Sequence, residues 1–234
     1  MDDVDLAAVG ALLGNPSRAA MLDALMTGRA LTATELARAA GVSPATASEH
    51  LARLRGGGLV EAVAQGRHRY HRLASPEVGA ALESLSHIAP PKAVTTLRQS
   101  SRARSLAEAR TCYDHLAGHS GVALHDGLLR RGWLVPEPGG YGVGELGVEG
   151  LLGWGVDVGS ARASRRPFAR PCLDWTERRE HLAGALAAAI TRALVDGPQP
   201  WFVRRADDHR GLRVTDLGAA RLADLGWQPL ERSA

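Results

Sequence analysis

The sequence predicts a mainly α-helical chain with small β-hairpins, an α+β protein built in two parts. Three observations carry that expectation. Apolar residues recur three and four apart through most of the first 89 residues, the period of an amphipathic helix. Two short runs in that region, LVEAV and RYHRL, bracket the polar segment AQGRH, as the strands of a hairpin do. All five tryptophans (Trp133, Trp154, Trp175, Trp201 and Trp227) lie in the second half, which also repeats its own pattern.

Taken in order, Leu6, Val9 and Leu13 form the stripe of a first helix ended by Gly14. NPSRAAMLDALMTG follows, with Met21, Leu22 and Leu25 facing inward and Gly28 as the stop. TATELARAAGV opens on a threonine cap at Thr32 or Thr34, carries Glu35 in its first turn, and closes at Gly41. Ser43 then reads as an N-cap with Pro44 in the first helical position. In that next helix Ala47, Leu51 and Leu54 share one face, and Thr46, His50 and Arg53 another. The hairpin with its basic tip comes next. SPEVGAALESLSHIA closes the first part as a capped helix with the stripe Val78, Leu82, Leu85 and Ile88.

Residues 90–105, PPKAVTTLRQSSRARS, read as a linker that is helical in part. From 106 onward the chain repeats its own pattern. Cys112 opens CYDHLAGHSGVALHDGLLRRGW and Cys172 opens CLDWTERREHLAGALAAAITRALV; both carry Cys-x-Asp and then His-Leu-Ala-Gly. YGVGELGVEGLLGWGVD parallels LRVTDLGAARLADLGWQ downstream, each a strand, an acid-Leu-Gly turn and a short helix. Residues 106–159 and 170–228 are therefore expected to be diverged copies of one unit, joined by the basic connector SARASRRPFARP.

The chain has 234 residues, net charge +3 and 23% charged residues, ordinary values for a globular protein. Its cations cluster. His50 to Arg72 holds Arg53, Arg55, Arg67, Arg69 and Arg72 against Glu61, and Lys92 to Arg110 adds five more against Glu108. Such stretches suit an anionic polymer. No apolar run is long enough for a transmembrane helix, and MDDVDLAAVG is acidic where a signal peptide is basic. Two cysteines cannot make a disulfide framework, so a cytoplasmic location is expected.

ELARAAGVSPATASEHLARLRGGGLVEAVAQGRHRYHRL resembles the winged helix-turn-helix of the ArsR/SmtB family of bacterial repressors. The landmarks are Glu35-Leu36-Ala37, the turn Gly41 to Ser43, Thr46, Ser48, His50-Leu51 with Leu54, Gly58-Leu59-Val60, and Gly66-Arg67 with Tyr70. The resemblance covers about the first 90 residues, taken as domain 1–89. It implies a DNA-binding transcriptional regulator, a repressor that dimerises through its first and last helices. Leu6, Val9, Leu13, Val78, Leu82 and Leu85 are the candidates for that interface.

The physics of grooves points the same way. An α-helix fits the major groove of B-DNA, and small side chains at its N-terminal end let it approach the bases. Ser43, Ala45, Thr46, Ser48 and Glu49 are so placed, with His50 and Arg53 further along, and Arg67, His68 and Arg69 reach flanking phosphates or minor groove. The expected DNA is double-stranded and palindromic, with half-sites about one helical turn apart. The alternative is an architectural binder with little site preference.

Two metal sites familiar in the family are absent: the helix ELARAAGV has no cysteine, and the last helix of the module offers only His87 beside Glu77 and Glu83. The second domain, 106–234, is the candidate seat of effector control. Cys112, Asp114, His115 and His119 lie close in sequence, and on a helix Cys112, His115 and His119 would share one face; Cys172, Asp174 and His181 echo them. Such a set suits zinc or another soft metal, a metalloid, or thiol redox chemistry. The competing reading makes the cysteines buried packing residues, since their spacings to histidine differ. Tyr113, Trp133, Trp154 and Trp175 are candidates for an apolar effector pocket. No Gly-rich oxyanion turn or cofactor fingerprint accompanies the cysteines, so no enzyme activity is expected.

Overall fold

The computed structural model describes residues 4–66, 68–90, 96–206 and 210–230. The chain divides into two compact units, Met1–Leu85 and Ser86–Ala234.

The first unit runs α1 (Leu6–Leu13), α2 (Pro16–Leu25), β1 (Leu31–Thr32), α3 (Ala33–Ala40), α4 (Pro44–Gly56), β2 (Val60–Gln65), β3 (His68–Leu73) and α5 (Pro76–Ile88), the last crossing the boundary. The caps fall where the sequence places them. Thr32 accepts from Glu35 N while the Glu35 carboxylate accepts from Thr32 N, a complete capping box on α3. Gly41 closes α3 in the left-handed conformation. Ser43 caps α4 with Pro44 behind it. The sheet has the order β1-β3-β2, all antiparallel. β1 is a strand the sequence does not announce, because two residues are too few for an alternation. The core is Met21, Leu22, Leu25, Leu36, Leu51 and Leu54, each nearly inaccessible to solvent.

Helix α1 is attached differently. None of its residues is buried. Arg18 anchors its C-terminal end instead, donating to Leu12 O at 2.8 Å and Ala11 O at 2.7 Å, a cation on the carbonyl end of a helix. Leu6 stays 62% exposed and Val9 37%.

The second unit opens with α6 (Leu97–Glu108). Most of the segment expected as a linker is thus helix, started by Thr96 and Gln99 in a capping box. The order hairpin, helix, hairpin, helix then occurs twice. The first pass is β4 (Arg110–Cys112), β5 (His115–Ala117), α7 (His119–Arg130), β6 (Leu134–Glu137), β7 (Gly140–Val143) and α8 (Glu145–Gly153). After α9 (Val158–Arg162), the second is β8 (Arg170–Leu173), β9 (Glu180–Ala183), α10 (Ala185–Asp196), β10 (Phe202–Arg204), β11 (Leu212–Val214) and α11 (Asp216–Ala223).

The copies interleave: α7 packs on β9 and α10 on β5, so each long helix covers the other copy's hairpin. Leu116, Leu128, Leu151, Leu182, Leu186, Ile190, Phe202 and Leu222 belong to one continuous apolar core. Equivalent glycines allow a close approach in both copies. A Cβ on Gly147 would stand 2.3 Å from Trp133 O, and one on Gly218 2.0 Å from Trp201 O. The acid-Leu-Gly turn is therefore a seat for a tryptophan carbonyl in both copies.

Candidate functional site

Helix α4 presents a narrow, outward face. Ala47, Leu51 and Leu54 are buried against the first unit's core, which turns Ala45, Ser48, Glu49 and Arg53 to solvent; Thr46 and His50 are half-buried at the edges. The hydroxyls are held close to the helix. Ser43 Oγ accepts from Thr46 N at 3.2 Å and lies 2.9 Å from Thr46 Oγ1, while Ser48 Oγ donates to Pro44 O. Nothing bulky projects from the first turn, as groove entry requires. On the hairpin, Arg69 is exposed. Arg72 pairs with Glu61 directly across the ladder at 2.5 Å. Arg67 and the side chain of His68 lie outside the described residues, as does Lys92.

The candidate dimer residues separate into two groups. Leu13, Val78 and Leu82 are half-buried within the unit. Leu6 and Val9 on α1 are exposed, as are Leu85 (43%) and Ile88 (80%) on α5.

In the second unit the structure brings Cys112, His115, Cys172 and His181 together. All four are buried, and their donor atoms lie within 4.8 Å of one another. Cys112 and His115 do not sit on a helix, as their spacing with His119 suggests; in both pairs the cysteine and histidine face each other across a hairpin. Cys112 is the register partner of His115 in β4–β5, and Cys172 that of His181 in β8–β9. Cross-strand partners share one face of a ladder. The unequal sequence spacings therefore reflect only turn length, two residues in the first hairpin and six in the second. His119 starts α7 and points elsewhere, its Nε2 2.9 Å from Gln228 O and its Nδ1 3.3 Å from Glu177.

Carboxylates back both histidines. Asp114 Oδ1 is 3.5 Å from His115 Nδ1, and Asp174 Oδ2 is 3.3 Å from His181 Nδ1, somewhat off the ideal hydrogen-bond line. The Nε2 atoms meet each other at 3.1 Å. Each carboxylate is in turn held by an arginine: Arg166 grips Asp114 with two nitrogens, and Arg110 donates to Asp174 at 2.7 Å. Burial alone would raise both carboxyls, yet His115 and Arg166 keep Asp114 below its usual range, and His181, Arg110 and Thr176 keep Asp174 well below its own. The Cys112 thiol is pushed up to about 12 by its hydrogen bond with Cys172 and by burial.

Arg110 and Arg166 are the site residues that sequence reasoning passed over. Both were counted as surface cations, one in the basic stretch ending at Arg110 and one in the connector. Arg110 is instead wholly buried, bonded to Leu106 O, Thr176 and Asp174, and stacked 4.4 Å above the Trp175 ring. The only sequence signal for it is the repeat, which aligns Arg110-x-Cys112 with Arg170-x-Cys172.

The four aromatic candidates do not form one pocket. Trp133 and Trp154 stack at 4.9 Å, and Trp154 meets Trp201 at 4.7 Å, all packed on the core. Tyr113 lies beneath Arg166, and Trp175 beneath Arg110. A cavity of about 540 Å³ in this unit is lined instead by small and charged residues, among them Ser160, Arg166, Ala188, Arg192 and Asp196. No helix among the described residues is long and apolar enough to cross a membrane.

A helix-turn-helix domain family matches residues 13–63. The chain is 40% identical over 214 residues to the uncharacterized HTH-type transcriptional regulator YdfF of Bacillus subtilis, covering 92% of this chain and 93% of that one. It is 43% identical over 74 residues to the HTH-type transcriptional regulator Rv0324 of Mycobacterium tuberculosis, 31% of this chain and 32% of the relative. Among solved structures, the homodimeric winged helix-turn-helix DNA-binding domain of Mb0332 from Mycobacterium bovis, a possible ArsR-family regulator, is 34% identical (36% of this chain, 76% of that one, TM-score 0.33). The cadmium sensor CmtR of Mycobacterium tuberculosis is 31% identical (40% and 100%, TM-score 0.32). The chain belongs to the HTH-type transcriptional regulators that include YdfF, with a helix-turn-helix domain at residues 13–63.

Proposed function

We propose that the protein is a homodimeric repressor that binds a palindromic operator, and that an effector taken up by the second unit sets its affinity for DNA. One observation carries the DNA-reading mode: the exposed face of α4 begins with small residues, Ala45 and Ser48, and continues to Glu49 and Arg53. Such a face enters a major groove with its N-terminal end against the base edges. Arg69 on β3 is available to a neighbouring phosphate. Dimerisation is supported by the unburied apolar residues of α1 and α5, which a second copy would cover.

Footprinting on the DNA upstream of the protein's own gene tests the reading. Protection of an inverted repeat with half-sites about one helical turn apart supports it. Arg53→Ala should weaken binding and lower the slope of log affinity against log salt by about one. Uniform coating of any duplex, with no preferred site, would instead make the protein architectural.

A further inference from the structure

The buried cluster in the second unit has the donors, geometry and charge balance of a closed metal centre. We propose that Cys112, His115, Cys172 and His181 bind one Zn²⁺ ion per chain in a tetrahedral S₂N₂ site that fastens the two copies of the repeat together.

Geometry comes first. The donor atoms lie within 4.8 Å of one another, two from each hairpin. A zinc tetrahedron spaces its nitrogens by about 3.3 Å and its thiolates by about 3.8 Å. The two Nε2 atoms already stand 3.1 Å apart, so closure asks for inward movement of the sulfurs by about 1 Å at most.

The histidines add an argument of their own. Asp114 and Asp174 sit beside the two Nδ1 atoms, where each carboxylate favours the tautomer protonated at Nδ1. That tautomer turns the two Nε2 atoms, 3.1 Å apart, into the ligand atoms of the pair. A single shared proton relieves only this pair. A cation between them satisfies both imidazoles and both sulfurs at once. Carboxylate behind histidine is also the arrangement that orients imidazole ligands in zinc sites.

Charge closes the case. Two thiolates, two neutral imidazoles and Zn²⁺ sum to zero, and the two carboxylates are already matched by Arg166 and Arg110. A neutral centre is what a buried site tolerates. Binding releases the two thiol protons to solvent. All four ligands come from the protein and all are buried, which leaves no open position and places the site with structural rather than catalytic zinc.

The proposal names the ligand of the unit to which effector control is assigned above; it rests on that reading only for any effect on DNA. The test uses the reduced full-length protein, stripped with chelator and then given Zn²⁺ or Co²⁺ under anaerobic conditions. Native mass spectrometry should show one zinc per chain. Cobalt should give the visible bands of a tetrahedral ion together with thiolate-to-metal charge transfer. Cys112→Ser and Cys172→Ser should each lose the charge-transfer intensity of one thiolate and bind zinc more weakly. Asp114→Asn, a change in a positioning residue, should weaken zinc by about 10–100-fold while the cobalt spectrum keeps its shape. Wild-type protein that takes up no zinc overturns the proposal, as does one whose cysteines simply form a disulfide and whose cobalt spectrum lacks thiolate. Operator affinity measured on the same loaded and stripped samples separates the two readings. Zinc uptake with unchanged affinity upholds the site and overturns zinc as the effector. A DNA response to some other ligand in protein that binds no zinc overturns the site and leaves effector control of the second unit standing.

Discussion

Asp174 gathers more of the second unit's buried polar contacts than its size suggests. Its carboxylate accepts from Arg110 at 2.7 Å, from Gly118 N at 2.7 Å, and from Thr176 Oγ1 and the Thr176 and Glu177 amides. Both members of the pair with Arg110 are wholly buried. Removing one charge from such a pair leaves the other stranded in a low-dielectric interior, a cost of about 3–5 kcal/mol. Asp174→Ala should destabilise the second unit by that amount in urea titrations, more than Asp114→Ala, whose partner Arg166 is partly exposed. In the first unit, burial and the charges of Arg55 and Arg69 lower the His71 pKa. The folded unit holds His71 neutral, while the unfolded chain protonates it below the ordinary histidine pKa of about 6.5. Stability is thus full above that pH and falls as pH drops toward the lowered folded value. A urea midpoint compared between about pH 7.5 and 5.5 should fall in wild type and fall less in His71→Gln. Neither histidine nor aspartate role was visible in sequence, because burial and partners come from residues far along the chain.

Elements were legible where their signals are local. Thr32 with Glu35, and Ser43 with Pro44, mark the starts of α3 and α4 through neighbours within one turn, and the structure keeps both. The first Cys/His hairpin was not legible. Its turn runs through Tyr113, a non-glycine residue at φ 58, and the second turn has Arg178 at φ 53. Without glycine or asparagine at those left-handed positions nothing announces a turn, and the spacing of Cys112, His115 and His119 imitates a helix. The acid-Leu-Gly turns, by contrast, were found by repetition and acquire a reason in three dimensions. Gly147→Ala and Gly218→Ala each force a methyl onto a tryptophan carbonyl that lies under 2.5 Å away. Each should cost about 1–3 kcal/mol, read as a lower urea midpoint of the second unit. The same change at Gly153, where nothing lies within 4 Å of the added Cβ, serves as the control.

At the scale of the whole molecule, the apolar faces of α1 and α5 decide what the chain is as a particle in solution. Leu6 and Leu85 are both substantially exposed. If a second copy covers them, Leu6→Glu with Leu85→Glu should give a monomer by light scattering and weaken operator binding, since one recognition helix then meets only one half-site. A double variant that remains dimeric removes these helices from the interface. The sequence divides the chain after residue 89 with a linker to 105, whereas the compact units of the structure are Met1–Leu85 and Ser86–Ala234. The interleaving of the copies was not legible in the sequence, because no local pattern records which helix lies on which hairpin.

That interleaving bears on descent. One copy contributes a single thiol and a single imidazole to the buried cluster, and its long helix lies on the other copy's hairpin as well as on its own. A chain with one copy would have to pair with an identical molecule to bury the same surfaces. Duplication and fusion would turn that pairing into a contact within one polypeptide and leave the two turns at liberty to differ in length, as they do here.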